Sequence, residues 1–413
     1  MSIVKNPDLF FSGKQKIEWV KDFMPVLTTI GEQLEKEQTF QGLRIGMSIH
    51  MEAKTAYLAY ILKKAGAEVS ATGCNTLSTQ DDVAAGLAKL GVSVYAIHGA
   101  SEEVYQEHLL RVIYDKPDLI IDDGGDLLEA YCNLPELSKR PIIGGCEETT
   151  TGVLRLYVRE KSGTLPFPMV NVNDAKCKHY YDNKYGTGQS VWDGIMHTTN
   201  ILVAGKTVVV AGYGYCGRGI AMRARGMGAK VVVTEIDPVK ALEAILDGFE
   251  VMPMEDAACI GDFFITATGC KDVITIKHLL LMKDNAFLAN AGHFNVEINL
   301  QDLDQISIVS APRRENITGY ITQNGRTLNV LAEGKLVNLA SGNGHPAEIM
   351  DMSFALQILG LKYLVENQGK LSNSVYNIPP EIDNLVAWTK LDAIGTKIDY
   401  LNTEQKAYLG LTE

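Results

Sequence analysis

The stretch that most constrains this chain runs from Lys206 to Asp237; from Thr207 it reads TVVVAGYGYCGRGIAMRARGMGAKVVVTEID. Thr207 to Ala211 is a β-branched apolar run, the composition of a parallel strand buried on both faces. Gly212, Gly214 and Gly217 follow with G-x-G-x-x-G spacing, and Ile220 to Met227 continues with helical periodicity. Lys230 to Thr234 is a second buried strand, closed by Glu235. Glycine spacing alone is weak evidence. Strand, glycines, helix, second strand and acid in this order make the full dinucleotide fingerprint. The glycines let backbone approach a pyrophosphate at the helix N-terminus, beside Tyr215 and Cys216. Glu235 would accept from the adenosine ribose hydroxyls, and its charge would repel a 2′-phosphate, which points to NAD over NADP. The alternative is a tight strand-to-helix turn with no ligand.

A chain of 413 residues has room for two or three domains. Hydrophobic content of 46%, charge of 21% and a net charge of −12 describe an ordinary globular protein and argue against nucleic-acid or anionic-membrane binding. The seven cysteines are scattered, with no C-x-x-C, so they suit a reducing cytoplasm and carry no zinc signature. The opening MSIVKNPDLFF lacks the basic and apolar regions of a signal peptide.

Ahead of the fingerprint, Ile17 to Glu37 has helical periodicity. Leu43 to Ile49, Glu68 to Thr72, Val94 to Ile97 and Leu119 to Ile121 read as short buried strands, with a helix expected over Glu52 to Ala65. The first 150 residues are therefore α/β on their own, an open parallel sheet with ligands expected outside the strands' carboxyl ends. Because the fingerprint begins only after residue 200, this half reads as a separate substrate domain. Val172 to Gly188 is polar and reads as an irregular interdomain connection. Strands at Phe263 to Thr266, Ala286 to Ala289 and Ile306 to Val309 would complete the nucleotide-binding sheet. A helix over Glu348 to Asn367 and a short amphipathic tail from Gly395 follow.

Polar residues gather where strands end. His50 follows RIGMSI, Asp122, Asp123 and Asp126 lie in IIDDGGD, and Glu147 and Glu148 in CEETTTG. A lone histidine or acid at such a place is commonly a cap or a solvated loop residue. Two acids after a buried strand and then Gly-Gly suggest close approach by backbone or ligand. NVNDAKCKHYYDNKYGTG gathers Asn173, Lys178, Asp182 and Asn183; Lys178 and Asp182 could simply pair on a helical turn. His293 and His345 follow glycines in NAGHFNVE and NGHP, beside Asn343. Cys177 is a weak candidate for a reactive thiol, with no base near it in sequence.

Taken together, HMEAKTA, CNTLSTQDD, DDGGDL, EETTTG, NVNDAKCKHYYDN, GYGYCGRG, TEIDP, GHFNVE, LAEGKLVNLASGNGHP and AYLG resemble the S-adenosylhomocysteine hydrolase family nearly end to end. The resemblance implies a cytosolic homotetramer that hydrolyses a nucleosyl-homocysteine thioether reversibly. A discontinuous substrate domain (1–185 and 345–394) would flank a central Rossmann NAD-binding domain (186–344), with a short tail (395–413). It implies that bound NAD oxidises the ribose 3′-hydroxyl, acidifying the C4′ proton. Homocysteine then leaves from C5′, water adds, and the ketone is reduced back. Carried over by motif, Lys178 and Asp182 would sit at the 3′-hydroxyl, His50 and Asp123 at C4′ and C5′, and Glu148 at the ribose hydroxyls. His293 and His345 would meet the homocysteine end and the closing hinge. Thr149, Thr150 and Thr151 would reach NAD from the substrate side, and Asn183, Gly212, Gly214, Tyr215, Cys216, Gly217, Glu235 and Asn338 from its own. Glu52, Lys54, Thr55 and Asn343 would line the purine end. No metal is implied.

Three departures stand out. Thr187 occupies a position where many relatives have Cys, and the tail ends at Leu411, Thr412 and Glu413 without a Lys- and Tyr-bearing extension. On that ground readier NAD exchange is expected. Thirdly, the family's phrase after His-Met has Thr and then Glu, and that Glu accepts from the adenine 6-amino group. Here Glu52 and Lys54 stand in those places. Lysine donates and cannot accept. Hypoxanthine inverts adenine's pattern, so Lys54 donating to O6 and Glu52 accepting from N1–H would favour S-inosyl-L-homocysteine. Alternatively the two pair with each other or face solvent while backbone reads adenine. Two other classes remain open. An NAD-dependent dehydrogenase would leave DDGGD and Lys178–Asp182 without a task. A non-catalytic regulatory relative would be expected to have lost site residues.

Overall fold

The short buried runs become strands because a β-branched segment with no polar face is stable only when covered on both sides. The computed structural model describes residues 2–134, 140–340 and 342–411. Met1 and the terminal Thr412 and Glu413 lie outside the described residues. In the first half, β1 (Ile3–Val4), β2 (Arg44–Ser48), β3 (Glu68–Thr72), β4 (Ser93–Ala96), β5 (Leu119–Asp122), β6 (Gly144–Glu147) and β7 (Met169–Asn171) form a parallel sheet in the order β1-β4-β3-β2-β5-β6-β7. The second sheet holds β8 (Thr207–Ala211), β9 (Lys230–Thr234), β10 (Glu250–Val251), β11 (Phe263–Thr266), β12 (Ala286–Asn290), β13 (Ser307–Arg314), β14 (Ile317–Thr322) and β15 (Thr327–Leu331), in the order β10-β9-β8-β11-β12-β15-β14-β13. The chain then returns, and β16 (Val375–Asn377) adds to β7 in parallel at the edge of the first sheet.

Each sheet reverses its winding once, at β2/β5 in the first and β8/β11 in the second. A crevice opens at such a point outside the carboxyl ends of the strands. In the first sheet Ser48, Asp122 and Glu147 lie side by side in register. Asp123 and Glu148, each one residue further on, therefore leave together at the strands' carboxyl ends, with His50 two residues beyond Ser48.

Several expectations are corrected. The helix over Ile17 to Glu37 is two, Phe10–Lys21 and Pro25–Glu37. Pro25 has no N–H and pushes Met24 out of the helical region (φ −123°, ψ 59°), so the periodic apolar face bends there. Val172 to Gly188 is mainly helical, with a turn at Lys176–His179, a π-type segment at Asp182–Gly186 and a helix from Thr187 to Thr199. Asn173, Lys178, Asp182 and Asn183 look like parts of a solvated linker but are buried, while Asp174 and Lys176 stay exposed. The strand expected at Ile306 to Val309 is the exposed, antiparallel edge of a meander with β14 and β15. The tail from Gly395 is open chain, then a solvent-exposed helix at Thr403–Tyr408.

The returning segment is fastened by charged caps. Asp351, fully buried on the helix Ala347–Glu366, accepts from Val26 N (3.2 Å) and Leu27 N (2.8 Å) at the start of Pro25–Glu37, and from Lys390 Nζ (3.1 Å). Asp383 accepts from Lys176 N (2.7 Å) and Cys177 N (2.9 Å) in the same way. Asp351→Ala leaves two buried backbone donors without their acceptor and Lys390 with the Glu348 carbonyl alone (3.1 Å). We expect a loss of about 2–4 kcal/mol, read as a lower urea midpoint for the first unfolding transition. A midpoint equal to the parent's would show that these caps do not hold the two segments together.

Candidate functional site

At the end of β2, His50 is fixed by a hydroxyl. His50 Nδ1 lies 2.7 Å from Ser78 Oγ, which also reaches Asn75 O (3.0 Å). The ring held in this way turns Nε2 toward Asp123 Oδ2, 3.4 Å away. Burial pushes His50 down to about 4, against the pull of Asp123. Cys74 Sγ donates to the same Asp123 oxygen (3.3 Å), while Oδ1 is buried with no hydrogen-bond donor and has His293 Nδ1 at 3.9 Å. Gly124 (φ +100°) admits this approach: a Cβ there would lie 2.3 Å from His293 Nε2. His293 comes from the loop after β12, so the carboxyl ends of strands from the two sheets face each other at this point.

Beside it lies a second cluster. Lys178 Nζ donates to Asn183 Oδ1 (2.7 Å) and stands 3.5 Å from Asp182 Oδ1 and 3.8 Å from Glu148 Oε1, all buried. Asp182 is also held by His345 Nδ1 (3.0 Å) and Ser353 Oγ (2.8 Å), and Glu148 accepts from Gln357 Nε2. Burial works against every charge here. For Lys178 the carboxylates of Asp182 and Glu148 overcome it, and the ammonium sits above its ordinary range. For Asp182 burial is overcome by Lys178 and His345, and the acid is held below the usual carboxylate range. For Glu148 burial wins over Lys178, and the acid rises to about 8. The cluster thus holds one firm ion pair and one carboxyl poised to carry a proton near neutrality.

Glu52 caps the helix Ala53–Lys64 through Lys54 N (3.1 Å). Lys54 bends back from the first turn: its Nζ meets Glu52 Oε2 at 2.6 Å and the Asn343 carbonyl at 3.0 Å, both side chains being buried. This is the mutual pairing set out above as one alternative, here turned inward and not toward solvent. Thr55 Oγ1 beside them is buried without a partner. A cavity of about 560 Å³ opens next to Asn343 between the halves and reaches Ser78 and His197.

In the second half, Gly212 (φ +94°) makes the turn after β8, and Gly214 caps the helix Tyr215–Gly226 with open space where a Cβ would stand. A Cβ on Gly217 would lie 1.9 Å from Gly212 O. Glu235 at the end of β9 accepts from Tyr213 N (2.7 Å) and from Ile236 N, tying the loop to the second strand. Asn338 donates to Ser190 Oγ (3.2 Å), and its buried Oδ1 has no partner. An open glycine cradle at a helix N-terminus, an acid at the next strand and an unpartnered amide oxygen are what a dinucleotide needs. Tyr215 packs on His179 and Tyr180, and Cys216 Sγ lies 3.7 Å from Thr187 Oγ1, which itself reaches His345 Nε2 (3.3 Å). Thr149 is turned onto Glu147 and Thr150 onto Asn173 Oδ1 (3.3 Å), while Thr151 is half-buried in the first turn of Thr150–Lys161.

Residues 2–139 match S-adenosyl-L-homocysteine hydrolase, and residues 183–344 match the NAD-binding domain of S-adenosyl-L-homocysteine hydrolase. The chain is 55% identical to the adenosylhomocysteinase of Thermotoga maritima over 96% of its length and 98% of the relative's. It is 54% identical to the S-inosyl-L-homocysteine hydrolase of Methanocaldococcus jannaschii, over 98% of each chain. The chain belongs to the S-adenosyl-L-homocysteine hydrolase family. It is an NAD-dependent hydrolase acting on a nucleosyl-homocysteine thioether, and the fold is the expected α/β pairing of a parallel-sheet domain with a Rossmann NAD-binding domain.

Within this family frame the clusters contain residues that motif reading passed over. Ser78 holds the ring of His50, Cys74 shares Asp123, and Ser353 and Gln357 hold Asp182 and Glu148. A signal for the last two exists: Asp351, Ser353 and Gln357 are the polar interruptions of the otherwise apolar run IMDMSFALQILGL. Cys177 is no reactive thiol. It is buried, its Sγ donates to Asp383 O (3.5 Å), and burial pushes it up to about 12.

Two outcomes follow from this geometry. Gly217→Ala drives a methyl into the Gly212 carbonyl, which only a spreading of the turn relieves; NAD affinity should fall by about a hundredfold or more, measured by titrating apoprotein with NADH fluorescence. An affinity within threefold of the parent's would mean that the turn is not the cradle. Glu148 is raised on folding, so its contribution to stability is complete below the ordinary carboxylate range and is lost as pH rises toward 8. Glu148→Gln should therefore gain stability relative to the parent between about pH 5 and 8, in urea midpoints taken across that range. A constant difference would place the Glu148 carboxyl at its ordinary value.

Proposed function

We propose that this chain catalyses the reversible hydrolysis of S-inosyl-L-homocysteine to inosine and L-homocysteine, with S-adenosyl-L-homocysteine the poorer substrate. Lys54 carries the reading. Relatives of nearly equal identity are named for either substrate, so overall similarity does not choose between them. The helix beginning at Ala53 turns an ammonium inward where the family's glutamate accepts from the adenine amino group. With Glu52 and Asn343 O engaged, Nζ keeps a donor that suits O6 of hypoxanthine, and Glu52 keeps an oxygen that suits N1–H. The adenosyl reading is favoured by a different aspect of the same contact: a pair closed on itself at 2.6 Å leaves the purine to backbone groups.

The remaining roles belong to the same proposal. The chemistry supplied by NAD when bound is a reversible hydride acceptor for the ribose 3′ carbon, which makes the thioether β to a carbonyl and so able to leave. Lys178 enters as an ammonium, so it would steady the 3′-oxygen while that oxygen's proton passes to the Glu148 carboxylate, with Asp182 fixing the ammonium's position. Glu148 holds the ribose hydroxyls and can carry a proton near neutrality. His50 and Asp123, side by side, share proton transfer at C4′ and C5′. His293 and His345 close on the homocysteine side. The glycine loop, Glu235, Asn183 and Asn338 hold NAD from one side and Thr149, Thr150 and Thr151 from the other. Domain limits at 185/186, 344/345 and 394/395 suit the return of β16 to the first sheet. A homotetramer and a cytoplasmic setting go with the family. Self-association is supported by the exposed apolar face of Ile236, Val239, Leu242 and Leu246. Among the described residues no helix is long and apolar enough to cross a membrane.

Homocysteine release from both substrates, side by side and with NAD, tests this reading. We expect kcat/KM to favour the inosyl compound by at least about tenfold. The double variant Glu52→Thr, Lys54→Glu should shift the ratio toward the adenosyl compound. A parent that prefers the adenosyl compound, or a ratio unmoved by the double variant, would return Glu52 and Lys54 to a structural pair.

A further inference from the structure

His50, Cys74 and Asp123 are brought together from three strand ends. One ligand atom from each lies within 4.8 Å of the other two. Cys74 Sγ and His50 Nε2 are 3.3 and 3.4 Å from the same Asp123 oxygen. Zinc bound by nitrogen, sulfur and oxygen at about 2.0–2.3 Å sets neighbouring ligand atoms roughly 3–4 Å apart. The imidazole is already oriented as a ligand, because the Ser78 hydroxyl holds Nδ1 and turns Nε2 toward the carboxylate. Asp123 Oδ1, on a residue 2% exposed, has no hydrogen-bond partner, His293 Nδ1 standing off at 3.9 Å. A buried acceptor left open in this way calls for a proton or a cation.

We propose that His50, Cys74 and Asp123 form a three-ligand site for Zn2+, with the fourth position open to the substrate cleft. Ligation replaces the S–H bond of Cys74 by a sulfur–zinc bond and releases the proton to solvent; no redox partner is required. The ion occupies the groups assigned above to proton transfer at C4′ and C5′, so it inhibits competitively with the nucleosyl substrate. The inhibitory consequence rests on that assignment, whereas binding itself does not. No C-x-x-C or paired histidine spacing announces the site, because the fold alone brings its ligands together.

Binding is read independently of turnover by adding Co2+ to the NAD-loaded protein carrying Cys259→Ser and Cys270→Ser, which removes the two exposed thiols. One equivalent should give a thiolate-to-cobalt charge-transfer band and the intense visible bands of a four-coordinate site, both abolished by Zn2+. Cys74→Ser in the same background should lose the charge-transfer band. In initial-rate assays Zn2+ should raise the apparent KM and EDTA should restore it. The inhibition constant should rise at least about tenfold in Cys74→Ser, each protein being compared with itself without zinc. A weak six-coordinate spectrum, or a charge-transfer band unchanged by Cys74→Ser, would overturn the site. A thiolate-bound ion that leaves turnover untouched would overturn the inhibition and, with it, the proton-transfer roles of His50 and Asp123.

Discussion

Charge held out of water at the carboxyl ends of the first sheet's strands is the constraint on which this structure depends. Lys178, Glu148 and Asp182 are each no more than 4% exposed, and a lone charge there would cost several kcal/mol. The cost is met by contacts drawn from separate parts of the chain. Lys178 and Asp182 come from the segment between the sheets, Glu148 from the end of β6 in the first, and His345, Ser353 and Gln357 from the returning segment. None of these pieces can be displaced without stranding a charge or a buried donor. The arrangement therefore fixes the returning segment against the first sheet and the segment that leaves it. The same desolvation splits the two acids, holding Asp182 low while Glu148 climbs to about 8, so that a permanent charge and a movable proton sit side by side.

The helix Ala347–Glu366 transmits this constraint to the rest of the molecule. Its length is almost wholly buried, yet three of its polar side chains reach different targets: Asp351 the helix Pro25–Glu37, Ser353 Asp182, and Gln357 Glu148. A single rigid element thus couples the packing of the first domain to the geometry of the charged cluster. The crossing into it runs through Asn343 and His345, whose contacts with Lys54 and Asp182 tie the crossover itself to side chains of the first half.

Legibility in the sequence followed the physics of each part. The parallel strands were readable because burial on both faces forces unbroken apolar runs, and Gly212, Gly214 and Gly217 because close backbone approach excludes a Cβ. Inward-turned polar chain was not readable. Asn173, Lys178, Asp182 and Asn183 have the composition of a solvated linker, and only the long-range partners Ser353 and Glu148 reveal that they are interior. Pro25 shows the complementary failure: helical periodicity continues across it because both helices pack on one core, although the backbone cannot continue. Ser78 and Cys74 were invisible as site residues, since their importance lies wholly in the orientation they give to His50 and Asp123.

Lys54 joins substrate choice to domain geometry. Its ammonium is shared between Glu52, which caps its own helix, and the Asn343 carbonyl, which belongs to the crossover from the other half. A glutamate in its place could not donate to that carbonyl, and the crossover would have to find another donor. The substitution therefore does more than invert a donor and an acceptor at the purine. It also adds a charge-assisted contact across the cleft, of the kind that is stronger than a neutral hydrogen bond when water is excluded. A purine that engages the remaining Nζ donor would bind to a group already held by both halves. Recognition of position 6 and the set of the crossover would then rest on one side chain, and a change of purine specificity at Lys54 would carry a change in how the cleft is held closed.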